Sequence, residues 1–255
     1  MPDWTAFGAV TVTLTVLVLV LARVTQSALE SRPPGPAEPD AANEGVVDEF
    51  EPEPPELDAG FQLESVSTAI LYLNVAGTQA LFGALLLAGI WFTDVPIRSL
   101  GVTAPPTAEL AVGAALGVVL FGLNQAAARL GRQFGLGGDE ALRAALAPET
   151  IPGWLALLFV VLPIVAGFEE LLFRGALIGG LAAGFELPVV LLVVASSAVF
   201  ALAHGTQGRV GVVVTGLLGL ALAGAFVATG SVAVVGVAHY LSNALEFVVY
   251  EGVRG

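Results

Sequence analysis

Seven stretches of this 255-residue chain stay apolar for long enough to cross a lipid bilayer, and the polar positions inside them are few and sharply placed. A helix rises about 1.5 Å per residue and the hydrocarbon core is about 30 Å thick, so a crossing takes roughly 20 predominantly apolar residues. By that measure the spans run from Trp4 to Ala28, Ser67 to Phe92, Glu109 to Leu130, Trp154 to Leu181, Leu187 to Ala203, Val210 to Thr229 and Val232 to Tyr250. The fifth is the shortest. "MPDWTAFGAV" offers no positive n-region and no small-residue cleavage site follows it, so the first stretch reads as a span and not as a signal peptide. The predicted fold is all-α: a polytopic transmembrane helical bundle of about seven spans.

The segments between the spans divide the chain. Residues 1–30 form an N-terminal transmembrane helix. Residues 31–64, beginning "SRPPGPAEPDAANEG", are rich in Pro and acid and poor in apolar side chains, the composition of a disordered linker. Residues 65–255 carry the remaining spans. In "GGDEALRAALAPETIPG", before the fourth span, Asp139 is a candidate N-cap, a short helical run follows and a Pro stops it, which predicts an interfacial helix.

Composition narrows the class. Hydrophobic residues make up 56% and charged residues 12%, with a mean hydropathy of +0.87, outside the range of ordinary soluble domains. The net charge is -13, and ten of the 22 carboxylates fall between Glu38 and Glu64. All nine basic residues are Arg. An acidic chain free of lysine has the character of a halophilic prokaryote, such as an archaeon, whose surfaces must stay solvated in strong salt. No nucleic-acid partner is expected, and the partners implied are membrane lipid and a membrane-associated protein or peptide. The absence of Cys excludes disulfides, thiolate chemistry and Cys-ligated metals. With the N-terminus outside, Arg23, Arg32, Arg129, Arg132, Arg143, Arg209 and Arg254 fall inside and Arg98 alone in an outer loop. This satisfies the positive-inside rule with a cytoplasmic C-terminus in the cell membrane.

The fourth span breaks the apolar pattern. "AGFEELLFRG" places Glu169, Glu170 and Arg174 inside it. Fifteen Leu, Ile, Val and Phe residues between Trp154 and Leu181 contribute about -7 kcal/mol to insertion, whereas three central charges oppose it by roughly +9 kcal/mol. Neighbouring helices or water must offset the difference. Glu170 and Arg174 are four apart and share a helix face, so they can pair; a structural ion pair is the plainest reading of them. Glu169 is rotated about 100° from Glu170 and lacks that partner, which leaves it free to act as a general base.

Two later spans carry the chain's two histidines. "FALAH" puts Phe200 and His204 one turn apart, and "HYLSN" puts His239 and Asn243 on one face. Alone, such residues serve as interhelical glue. Clustered with the fourth span, Glu169 and His204 can hold and deprotonate a water, while His239 and Asn243 donate to the oxyanion formed when that water attacks a peptide carbonyl. Glu246, near the end of the seventh span, reads as interfacial; Asn74, Asn124 and Gln125 read as interhelical or interfacial polar groups. The glycines of the sixth span read as sites of close helix packing.

"EELLFR", "FALAH" and "HYLSN" resemble, in order and spacing, the glutamate-rich, Phe-to-His and His-to-Asn motifs of the CPBP family of intramembrane endopeptidases, which includes the type II CAAX prenyl endopeptidases. The resemblance implies Glu169 as the water-activating carboxylate, His204 sharing the water, His239 and Asn243 polarising the carbonyl, and Glu170 with Arg174 in support. It implies cleavage of prenylated CAAX-like proteins or pro-peptides. No cofactor is required by this chemistry; were a metal bound, zinc on Glu169, His204 and His239 is the candidate. Two other functions use the same residues: a catalytically idle relative acting as an immunity or scaffold protein, and a proton-coupled transporter.

Overall fold

The computed structural model describes residues 1–30, 67–133, 143–144 and 146–252. The acidic linker and Asp139 lie outside these residues, so the expected interfacial helix is covered only in part. Among the described residues seven long helices follow one another: α1 (Trp4–Glu30), α2 (Thr68–Phe92), α3 (Thr107–Gln133), α4 (Ile151–Phe185), α5 (Val189–Ala203), α6 (Gly208–Thr229) and α7 (Val232–Tyr250). Six are long and apolar enough to cross a membrane, and α5, of 15 residues, is the short one the apolar pattern singled out. The protein is a multi-pass, all-α membrane bundle. Its many exposed leucines, valines and phenylalanines are the surface such a bundle turns to lipid.

Helix α4 is not a uniform α-helix. Thr150 begins it by accepting a hydrogen bond from the Gly153 amide, 3.2 Å away. Pro163 then removes a backbone donor and crowds the preceding turn, and the chain answers with a π-helical stretch at Leu157–Val161. A second π-helical stretch, Leu171–Gly180, follows Glu170 and contains Arg174. There the loop after α2 presses close: a Cβ on Gly179 would lie 2.6 Å from the Ser99 carbonyl oxygen. That loop turns at Gly101, whose φ of 72° suits glycine and whose carbonyl accepts from the Val232 amide at 2.9 Å, tying the loop to the start of α7.

The site helices are locked by small residues. On α3, a Cβ at Gly113 would meet the Val234 carbonyl oxygen at 2.4 Å and one at Gly117 the Ala238 carbonyl oxygen at 2.7 Å, so α3 and α7 approach backbone to backbone. The sixth-span glycines do the same work only at Gly216 and Gly219, which face Ala201 and Phe200 of α5; Gly224 meets nothing within 4 Å. Gly113→Ala is therefore expected to destabilise by about 1 to 3 kcal/mol, because a carbonyl cannot rotate away as a side chain can. The check is the thermal midpoint in detergent, with Gly122→Ala, where nothing lies within 4 Å, as the neutral comparison.

Helix α1 belongs to the same core. Phe7 and Leu14 are buried with Leu86, Leu100, Phe168, Phe173 and Phe200. Its contacts on α2 and α4 need glycines opposite: a Cβ on Gly89 would lie 2.7 Å from Val10, and one on Gly184 would lie 2.5 Å from Trp4.

Candidate active site

Glu169 and Glu170 stand where α4 changes from α to π geometry, and the surrounding helices converge on them. Glu170 and Arg174 are both 0% exposed. Arg174 Nη1 donates to Glu170 Oε1 at 2.8 Å and Nη2 donates to the Gly219 carbonyl at 3.1 Å, while the guanidinium carbon lies 4.6 Å from the Phe200 ring centroid. The cation is thus held from α4, α6 and α5 at once, as a desolvated charge must be.

His239, from α7, reaches the same carboxylate: its Nδ1 lies 2.7 Å from Glu170 Oε1. Its other nitrogen, Nε2, is 3.7 Å from Glu169 Oε2, too long for a hydrogen bond. Among the described residues Glu169 has one protein donor, the Gln79 amide Nε2 of α2, at 3.4 Å from Oε1. Four buried polar atoms of this cluster have no partner: Glu169 Oε2, Glu170 Oε2, Arg174 Nε and Gln79 Oε1. Two carboxylates face one guanidinium, and a protonated His239 would make the group neutral.

His204 caps the C-terminus of α5 and is half-buried. At about 1.5 Å per residue, the 15 residues of α5 span roughly 22 Å, short of the hydrocarbon thickness. His204 Nδ1 donates to the Phe200 carbonyl at 2.8 Å, which leaves Nε2 as the acceptor in the neutral ring. Phe200 separates the histidines, its centroid 4.6 Å from that of His204 and 6.0 Å from that of His239. Ser196 Oγ fixes α5 by donating to the Phe173 carbonyl at 2.6 Å.

The structure therefore joins Glu169, Glu170, Arg174 and His239 by contact, and brings in His204 through Phe200. Asn243 sits one turn beyond His239 on α7, half-buried and without a hydrogen-bond partner among the described residues. No hydrogen bond or ion pair joins Glu169 to His204 among the described residues. Among the described residues no group of three His, Asp or Glu side chains is placed to hold a metal ion.

Two features lay beyond the sequence reading. Gln79 carried a faint signal, an amide in the middle of an apolar helix. The Gly219 carbonyl carried none, since every residue has one. Glu246 also differs from its interfacial expectation: it accepts from Asn124 Nδ2 at 3.0 Å and pairs with Arg143 at 3.4 Å. Arg143 in turn bonds Glu251 at 3.0 Å and lies over the Tyr250 ring, while Tyr250 donates to Gln125. Glu246 is near the helix end, as expected, but works as an interhelical tie between α3, α7 and the segment before α4.

A buried ionisable cluster shared by α2, α4, α5, α6 and α7 defines the class: a polytopic helical membrane protein with a polar cluster inside its bundle. Residues 151–245 match the family model described as type II CAAX prenyl endopeptidase, Rce1-like. That segment holds all six site residues expected from the motifs, so the match and the motif resemblance to the CPBP family of CAAX-type intramembrane proteases fall on the same residues. No curated protein and no solved structure matched the chain.

Proposed function

We propose that this protein is an intramembrane endopeptidase that hydrolyses a peptide bond of a membrane-associated substrate with water activated by Glu169 and His204. The observation that carries the reading is the contrast between neighbouring carboxylates. Both keep a buried Oε2 without a hydrogen-bond partner, but Glu170 is held through Oε1 by Arg174 at 2.8 Å and His239 at 2.7 Å, whereas among the described residues Glu169 has no hydrogen bond shorter than the 3.4 Å from Gln79. The carboxylate that no cation engages by a hydrogen bond is the one better placed to take a proton from water.

In the proposed reaction an O–H bond of water breaks as its oxygen bonds to the scissile carbonyl carbon, and the proton passes to Glu169 Oε2. His204 Nε2 accepts the water's other hydrogen bond and orients it. The C–N bond then breaks as Glu169 returns the proton to the leaving nitrogen. Asn243 Nδ2 donates to the oxyanion. His239 joins it from Nε2 in the imidazolium form, because its Nδ1–H is committed to Glu170. Water attacks directly, so no acyl-enzyme forms.

Every step uses side chains of this chain and none is routed through a metal. Cleavage is accordingly expected to persist in excess 1,10-phenanthroline; loss of activity restored by added zinc would refute the metal-free chemistry. The substrate class is a prenylated CAAX-like protein or a pro-peptide, and the arginine asymmetry supports an external N-terminus and a cytoplasmic C-terminus. The acidic, lysine-free composition fits a halophilic host. The test compares membrane-protein termini, by terminal-peptide mass spectrometry, between host cells carrying the wild type and cells carrying Glu169→Gln at equal expression. New termini that vanish in the variant establish the protease and name its substrates. Identical profiles, with His204→Ala also without effect, would move the protein to the binding or scaffold class.

A further inference from the structure

Gln79 lies on α2, outside the segment matched to the protease family, yet its side chain is the one protein donor to Glu169 among the described residues. The amide is incompletely satisfied: Nε2 donates to Glu169 Oε1 at 3.4 Å, while Oε1 is buried with no partner. A buried acceptor without a donor opposes folding, so packing does not explain an amide here; an apolar side chain of the same length would fill the space at less cost. What the amide supplies is a hydrogen-bond donor at one particular oxygen.

The geometry of the cluster makes that oxygen matter. The two oxygens of Glu169 have different surroundings: Oε1 receives Gln79, and Oε2 lies beside His239 Nε2 at 3.7 Å without a bond. A carboxylate can rotate about its last bond, and either oxygen could face the water. A donor fixed on α2 removes that freedom. We propose that Gln79 is a positioning residue, which holds Glu169 by Oε1 so that Oε2 is the basic oxygen. The proposal rests on the reading of Glu169 as the base. It adds α2 to the working parts of the site and assigns the proton to one atom.

Two substitutions separate this role from a structural one. Gln79→Met keeps the length and removes the donor; Gln79→Glu keeps the shape but, when ionised, sets a second negative charge against Glu169. With a farnesylated peptide ending in a CAAX sequence as probe, or a cleaved protein found from its new terminus, Gln79→Met is expected to lower kcat about 10- to 100-fold, the range found when outer-shell partners of a working group are lost. KM should stay within about twofold, because Gln79 acts through Glu169 and not on the bound peptide. The thermal midpoint of Gln79→Met should be unchanged or higher, since its orphaned acceptor is gone. Gln79→Glu should lose at least as much kcat.

A readout independent of turnover accompanies these. The infrared carboxylate band that disappears in Glu169→Gln should shift in Gln79→Met, because its hydrogen bond is gone. Wild-type kcat in Gln79→Met, an effect confined to KM, a midpoint that falls along with kcat, or an unmoved Glu169 band would each overturn the assignment. Failure of the underlying reading looks different: Glu169→Gln would then cleave as well as the wild type, or neither would cleave at all.

Discussion

Glu169→Gln is expected to reduce peptide cleavage by about 10² to 10⁴-fold while leaving the protein folded, which is the range a general base contributes. The substitution is nearly isosteric and the new side chain can still accept from Gln79 through its carbonyl oxygen. What disappears is the buried, unpartnered oxygen to which the proposed reaction passes the proton from water. Turnover of the purified enzyme in detergent, with a thermal melt on the same sample, checks both halves. If cleavage persists within tenfold of wild type, Glu169 is not the base. If cleavage and thermal midpoint fall together, Glu169 is part of the fold and the base must be sought at His204.

The largest loss of stability is expected at Arg174. Arg174→Met removes the cation from Glu170, whose side chain is 0% exposed, and strips a donor from the Gly219 carbonyl. Breaking one side of a buried ion pair destabilises by about 3 to 5 kcal/mol, because the remaining charge keeps its desolvation penalty without compensation. The double substitution Glu170→Gln/Arg174→Met should recover a substantial part of that stability, since neither charge then remains. Activity should not return, because His239 Nδ1 would have lost its carboxylate acceptor. Thermal melts of the two variants decide the point: a single variant as stable as the wild type contradicts the buried-pair account, and a double variant no better than the single one assigns the loss to Arg174 packing on Phe200.

Much of this architecture was legible before any coordinate. Apolar run lengths are local quantities, and the seven predicted spans agree with α1 to α7 within a few residues at each end. The Glu170 to Arg174 contact was equally local, since residues four apart on a helix share a face. The glycines were read less well. The sixth span has the denser glycine pattern, yet among the described residues the closest glycine approach to a neighbouring helix backbone, 2.4 Å, is that of Gly113 on α3, because which glycine meets a backbone depends on helix rotation and not on glycine number.

Sequence by itself determined that the chain is a helical membrane bundle, which residues can carry charge or protons inside it, and which family its motifs resemble. Those conclusions rest on hydropathy, helical spacing and side-chain chemistry, all properties of a residue and its near neighbours. Tertiary structure alone decided which polar groups touch. Glu170 meets His239 across 69 positions, and Glu169 meets Gln79 across 90, contacts for which no periodicity prepares. It decided which of the two carboxylates the cations hold, Glu170 through Oε1 and not Glu169. Glu246 became a tie between helices for the same reason: in a medium without water a polar group must find its partner within the protein, and only the packed arrangement of helices determines which one it finds.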